Sequence, residues 1–210
     1  MDFRAALLEQ TRAFGDLIRS GDPATPVPTC GEWTLRQLSR HVGRGSHWAA
    51  QIVAERRIEP LDPRDVRNGR PPDDPDAAID WLNDGAQALI DAVDRVGADA
   101  RVWTFLGPRP AGFWLRRWLH EVTVHRADAA LALGREFDLP PESAADAGSE
   151  WIELVASRQS HNHAKGDAAV RGPVTGLLLA LTRRRTAADL GVDVLGDADV
   201  WDRWLERTPF

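Results

Sequence analysis

The stretch Ala111–Gly134, AGFWLRRWLHEVTVHRADAALALG, constrains the chain most. Its apolar residues recur at helical spacing, and the segment reads as one long helix. Trp114, Trp118, Glu121, His125 and Asp128 fall along a single stripe of that helix. A carboxylate and an imidazole one turn apart on an otherwise apolar face need a partner once the face is covered. Each other, a proton or a metal would serve. Any fold for this chain must therefore bring further helices, and with them a polar partner, to this face.

Three earlier segments supply such helices. Residues 2–20 place Phe3, Leu7, Phe14, Leu17 and Ile18 at helical spacing, with Gly21 as the stop. Pro23, Pro26 and Pro28 make an extended connector of residues 22–31. Thr34 with Gln37 forms a capping box that opens a second helix. The inner face of that helix runs Leu35, Leu38, His41, Val42, Gly45, Trp48 and Ile52. Residues 57–74 are charged and Pro-rich, a long loop of the kind that lies over a site or moves. Asp74 and Pro75 open a third helix whose face ends at Val96 before Gly97. A loop with Trp103 and Pro108 leads into the fourth. Residues 1–137 thus read as a four-helix bundle.

Residues 138–210 change character. A fifth helix spans 141–158, and the loop SHNHAKGD follows it. Then come a strand-like piece at Ala168–Arg171, a helix opened by Pro173, the basic run Arg183–Arg185, a second strand candidate at Val192–Leu195 and a helix capped by Asp197. Two short strands do not make an independent sheet, so this segment is expected to pack on the bundle. The fold class is mostly α, with a small α+β C-terminal segment.

Charge and composition exclude several functions. The net charge of −6, with Lys165 the one lysine, argues against nucleic acid or an anionic membrane surface as the main partner. Cys30 is the single cysteine, so no intrachain disulfide forms. The N-terminal MDFRAALLEQ lacks the pattern of a signal peptide, and no apolar run reaches membrane-spanning length. A cytoplasmic protein, monomer or homodimer, is expected. Arg, Ala, Asp and Gly usage points to a high-GC bacterial source.

Glu121 and His125 on their own fit either a hydrogen-bonded pair or a metal site. His41, on the inner stripe of helix two, adds a third ligand-type side chain from a helix that a bundle would place opposite. Two imidazoles and a carboxylate suit Zn²⁺ with a fourth position free, and equally Fe²⁺, Ni²⁺ or Mn²⁺. Asp128 is placed to accept the other imidazole N–H of His125, or else faces solvent. His161 and His163 read as a surface tract, while His47 and His120 fall away from the inner stripes. Cys30 reads as a small buried hydrophobe or, before a helix N-terminus, as a stabilised thiolate. Ser143 and Ser149 lack a G-x-S-x-G context, and neither a Walker loop nor a G-x-G-x-x-G is present. Trp48, Trp118 and Arg184 are candidate substrate or thiol contacts, the arginine suiting a carboxylate. No protein nucleophile stands out.

The segments CGEWTLRQLSRHVGRGSHWAA and FWLRRWLHEVTVHRADAALALG resemble two motifs of the mycothiol-dependent maleylpyruvate isomerase family, within the wider DinB-like superfamily. AAVRGPVTGLLLAL and VDVLGDADVWDRWL are similar to the end of that family's C-terminal domain. The resemblance implies a DinB-like bundle holding a divalent metal, typically zinc, through His41, Glu121 and His125. It also implies that mycothiol, a cytoplasmic thiol of actinobacteria, binds at the free metal position and attacks a small electrophile as a thiolate, in an S-transfer or an isomerisation. Arg184 is the nearest match to an arginine that contributes to the site in relatives. Relatives have several strands between the fifth helix and the R-G-P motif, and the stretch from Val155 to Gly166 is too short for them. The C-terminal domain is therefore shortened, and maleylpyruvate itself is not the expected substrate. A hydrolase using metal-activated water and a non-catalytic ligand-binding remnant are the alternative functions.

Overall fold

Capping residues set most of the helix boundaries. In the computed structural model, which describes residues 1–158 and 168–208, α1 spans Phe3–Ser20 and opens on the Asp2 carboxylate, which accepts from the backbone N–H groups of Arg4 and Ala5. The Thr34–Gln37 capping box is fully formed at the start of α2, Leu35–Ala54. Asp74 caps α3, Pro75–Val96, and Gly97 ends it at φ 90°, a conformation that favours glycine. A two-residue-per-strand hairpin, β1 (Arg101–Val102) and β2 (Arg109–Pro110), then turns the chain into α4, Gly112–Ala132. The hairpin lies in what the sequence suggested was a plain loop.

The first compact unit runs from Met1 to Phe137. Within it α2 packs chiefly on α3, and α1 on α4. The core is built from Leu7, Phe14, Leu38, Leu82, Leu89 and Trp114, with related side chains around them. The helix α4 is not amphipathic as its periodicity suggested. Arg117, His120, Thr123 and Val124 are buried as well as the expected stripe, so the helix is enclosed on most of its circumference. His120 was expected to point outward and is instead only 2% exposed.

Two glycines on α2 admit indoles from neighbouring helices. A Cβ at Gly43 would overlap the ring of Trp81 on α3, and a Cβ at Gly45 would overlap Trp118 on α4. Trp118 then donates its indole N–H to Ser46 Oγ at 2.7 Å. His47 also corrects the outward expectation. It is buried, with Nε2 3.1 Å from the Trp81 carbonyl. The helix face it shares is covered by α3.

The long loop after α2 is pinned rather than loose. Trp48 donates to the Leu61 carbonyl at 2.8 Å and Trp81 to the Asn68 carbonyl at 2.6 Å. Leu61, Val66 and Gly69 are buried. Trp48 also joins an edge-to-face aromatic cluster with Trp103 and Trp114.

The second compact unit, Asp138–Phe210, holds α5 (Pro141–Arg158), β3 (Ala168–Arg171), α6 (Val174–Leu181), β4 (Asp193–Gly196) and α7 (Ala198–Arg207). β3 pairs antiparallel with β4, Ala168 opposite Gly196 and Arg171 opposite Asp193. The chain is thus mostly α, with a small α+β segment at its C-terminal end, as its sequence implied. His161 and His163 lie outside the described residues.

Two outcomes are expected. Overpacking a helix contact costs about 1–3 kcal/mol, and valine recovers little helix propensity over glycine. Gly45→Val should therefore lower the urea midpoint by a margin equivalent to about 2 kcal/mol, and an unchanged midpoint would contradict the Trp118 contact. Burial pushes the His47 imidazole below its ordinary pKa, and the Trp81 carbonyl offsets this only in part. The unfolded chain takes up that proton near pH 6.5 and the folded chain only at lower pH, so stability falls as pH drops below about 6.5. His47→Gln should flatten the fall of melting temperature between about pH 7.5 and 5.5 relative to the parent. Identical slopes would show that His47 is not held neutral.

Candidate metal centre

Helical spacing puts Glu121 and His125 one turn apart on α4, and α2 brings His41 to them. His41 Nε2 lies 3.4 Å from Glu121 Oε1, and His125 Nε2 lies 3.3 Å from the same oxygen. The two imidazoles meet edge to face with centroids 5.0 Å apart. One donor atom from each of the three residues falls within 4.8 Å of the others.

His41 departs from the sequence reading. It was expected on a buried stripe, but its side chain is 41% exposed and packs its ring on Trp33 at 4.9 Å. Helix phase alone placed it inward, whereas in the structure its side chain is exposed. The cluster consequently has a buried wall made by α4 and an open edge at His41.

Asp128 is fully buried and organises the wall. It accepts from Thr29 Oγ1 at 2.6 Å, from Cys30 Sγ at 3.3 Å and from His125 Nδ1 at 2.8 Å. A carboxylate only accepts, so Nδ1 of His125 carries a proton toward Asp128, and without a metal Nε2 carries one toward Glu121, where a metal would take its place. Thr29 and Cys30 reach Asp128 from a 3-10 turn at Pro28–Cys30. Cys30 is half-buried, and its S–H donates to the Asp128 carboxylate. Cys30, His125 and Asp128 also form a triplet of potential ligands. The proton on Nδ1 already accounts for that arrangement as support of His125.

Arg117, one turn before Glu121, donates to Glu121 Oε2 and leaves Oε1 facing the imidazoles. Burial alone would raise the Glu121 pKa, but the charge of Arg117 and the hydrogen bonds from His125 and His41 outweigh it and hold the group well below the usual carboxylate range. For His125 burial alone would lower the pKa, and the hydrogen bonds with Asp128, Cys30 and Glu121 outweigh it and hold the imidazole well above its usual value. Without a metal the cluster is a buried Arg–Glu–His–Asp chain of alternating charge. Arg117 and Thr29 escaped the sequence reading. The spacing of Arg117 to Glu121 was a visible signal for the first, while nothing local announced the second.

The donor set fits a divalent metal. Donors about 2.0–2.1 Å from one ion at tetrahedral angles stand about 3.3–3.4 Å apart, which is the spacing of the two imidazole contacts to Glu121 Oε1. One carboxylate oxygen is held by Arg117 and the other is directed inward, while Asp128 fixes the tautomer that ligation needs. Trp48 and Trp118 spend their indole N–H groups on Leu61 and Ser46 inside the bundle. Arg184 belongs to the second unit, is 9% exposed and donates to the Thr182 carbonyl at 2.7 Å.

Removing one partner of a buried ion pair costs about 3–5 kcal/mol because the other charge is left uncompensated. Arg117→Met, similar in length, is expected to destabilise the metal-free protein by about 3 kcal/mol in urea unfolding. A loss under about 0.5 kcal/mol would show that Glu121 does not depend on it.

Residues 4–130 match the family model described as mycothiol maleylpyruvate isomerase N-terminal domain. No curated protein and no solved structure gives a match. The matched span takes in α1 to α4 nearly whole, with both segments that carry His41, Glu121 and His125. The chain therefore belongs to the mycothiol maleylpyruvate isomerase N-terminal domain family.

Proposed function

We propose that this protein is a metal-dependent transferase or isomerase that uses mycothiol as its thiol and acts on a small electrophile. The observation that carries the reading is the convergence of His41 Nε2, Glu121 Oε1 and His125 Nε2, with Asp128 on the far nitrogen of His125. His41, Glu121 and His125 would hold the ion, zinc by ligand type, and the open edge at His41 leaves a position for a further ligand. A metal so held supplies one piece of chemistry, ionising a coordinated thiol at neutral pH. The chain's residues do the rest. Asp128 keeps the proton on Nδ1, Arg117 keeps Glu121 ionised and its second oxygen occupied, and the buried wall of α4 excludes water from one side.

The site needs no protein nucleophile if the thiol brings its own. We assign the metal centre to the unit Met1–Phe137 and read Asp138–Phe210 as the shortened C-terminal segment. Maleylpyruvate is not favoured as substrate for that reason. No helix among the described residues is long and apolar enough to cross a membrane, which accords with a cytoplasmic thiol partner.

Purified protein is expected to contain about one equivalent of divalent metal, and His125→Ala and His41→Ala should lose it. Because His41 is exposed, its variant tests the site even if His125→Ala folds poorly. Asp128→Asn should weaken metal binding by about 10–100-fold. Stoichiometric metal in both alanine variants would overturn the site. Mycothiol should shift the visible bands of cobalt-substituted protein, and an unmoved spectrum would overturn thiol use.

A further inference from the structure

A second concave surface lies in the first unit, apart from the residues of the metal centre. It is a cavity of about 730 Å³ bordered by the end of α1, the first half of α2, and the end of the pinned loop with the start of α3. This volume is in the range of small-molecule sites. Arg19, Arg36, Arg40, Arg44 and Arg70 line it, and Asp73 is the one acid among its lining residues. In a chain of net charge −6, that local excess of cations runs against the overall field.

Three of the five arginines, Arg36, Arg40 and Arg70, are not explained by folding. Arg36, Arg40 and Arg44 succeed one another at one-turn intervals along α2, where like charges oppose helix stability by a few tenths of a kcal/mol per pair. Arg19 is matched by Asp76 at 3.3 Å. Arg44 donates Nε to the Gly69 carbonyl at 3.0 Å, which fixes the turn that presents Arg70. The guanidinium groups of Arg36, Arg40 and Arg70 make no hydrogen bond or ion pair among the described residues. Pro71 follows Arg70 and restricts its backbone. Apolar side chains of Ile18, Pro71, Pro75 and Ile79 supply the rest of the wall.

We propose that this cavity binds a small organic polyanion, a phosphate ester or polycarboxylate with an apolar body. Planar guanidinium forks from two helices and a loop suit oxyanion oxygens, which they can hold two at a time. The proline and isoleucine wall would cover the apolar part. The site stands independently of the metal centre and of the thiol chemistry assigned to it.

Calorimetric titration of the full chain with phenyl phosphate and with tricarballylate tests this. Neither is a strong chelator, so a response reports the arginines rather than the metal. At least one should bind with one-to-one stoichiometry and a Kd below about 1 mM, the tighter of the two naming the phosphate or carboxylate source. Arg36→Gln with Arg40→Gln should weaken that binding at least 10-fold. Arg12→Gln with Arg95→Gln, exposed arginines outside the cavity that change the net charge equally, should alter it less than 2-fold. Failure of both anions to bind, or equal loss in the two double variants, would overturn the proposal. So would a single-stranded oligonucleotide or phosphatidylglycerol vesicles binding through Arg36 and Arg40 while the small anions do not.

Discussion

The buried carboxylate of Asp128 is the interaction on which the rest of the centre depends. It draws the connector to α4 through Thr29 and Cys30, and it sets which nitrogen of His125 faces inward. Without it, a buried imidazole would be free to flip or to lose its proton to burial. Glu121 has its own support in Arg117, so two acids on a single enclosed helix each have a separate cationic or donating partner. The division matters because burying a lone carboxylate costs several kcal/mol. The cluster is held in place by residues outside the candidate ligand set.

Much of the fold was legible because its signals are local. Thr34 with Gln37, Asp74 and Gly97 act within a turn of the boundaries they set, and each does so in the structure. The two C-terminal strands and the Asp197 cap were legible for the same reason; the pairing of the strands was not. What failed was the side of a helix. Periodicity assumes one wet and one dry face, and α4 has hardly any wet face, so His120 was misjudged and Arg117 passed over. On α2 the error ran both ways: His41 proved exposed and His47 buried, because neighbouring elements rather than helix phase decide which flanks are covered.

The ligand-type residues were legible for a simpler reason. Glu121 and His125 are conspicuous on an apolar helix, and a third such residue in an apolar stripe of α2 suggested convergence whatever its exposure. Their supports were less visible. Thr29 is an ordinary residue in a Pro-rich connector, and only the folded turn brings it to a helix 99 positions away in sequence. The arginines at 36, 40 and 44 showed the same limit. In sequence they are a solvated helix face, and only the approach of the 70–75 segment gives that face a concave form.

Gly43 and Gly45 carry a consequence for how this architecture can vary. Each is bare backbone seated against an indole, one from α3 and one from α4. Turning α2 by a single residue about its axis would present a side chain to both rings at once, and sliding it would do the same. The two contacts therefore act as keys cut on different sides of one shaft. They fix the azimuth of α2, and so the direction in which His41 extends, without touching His41 itself. Residues on the solvent rim can then be exchanged to suit different small molecules while the orientation of the helix stays constant.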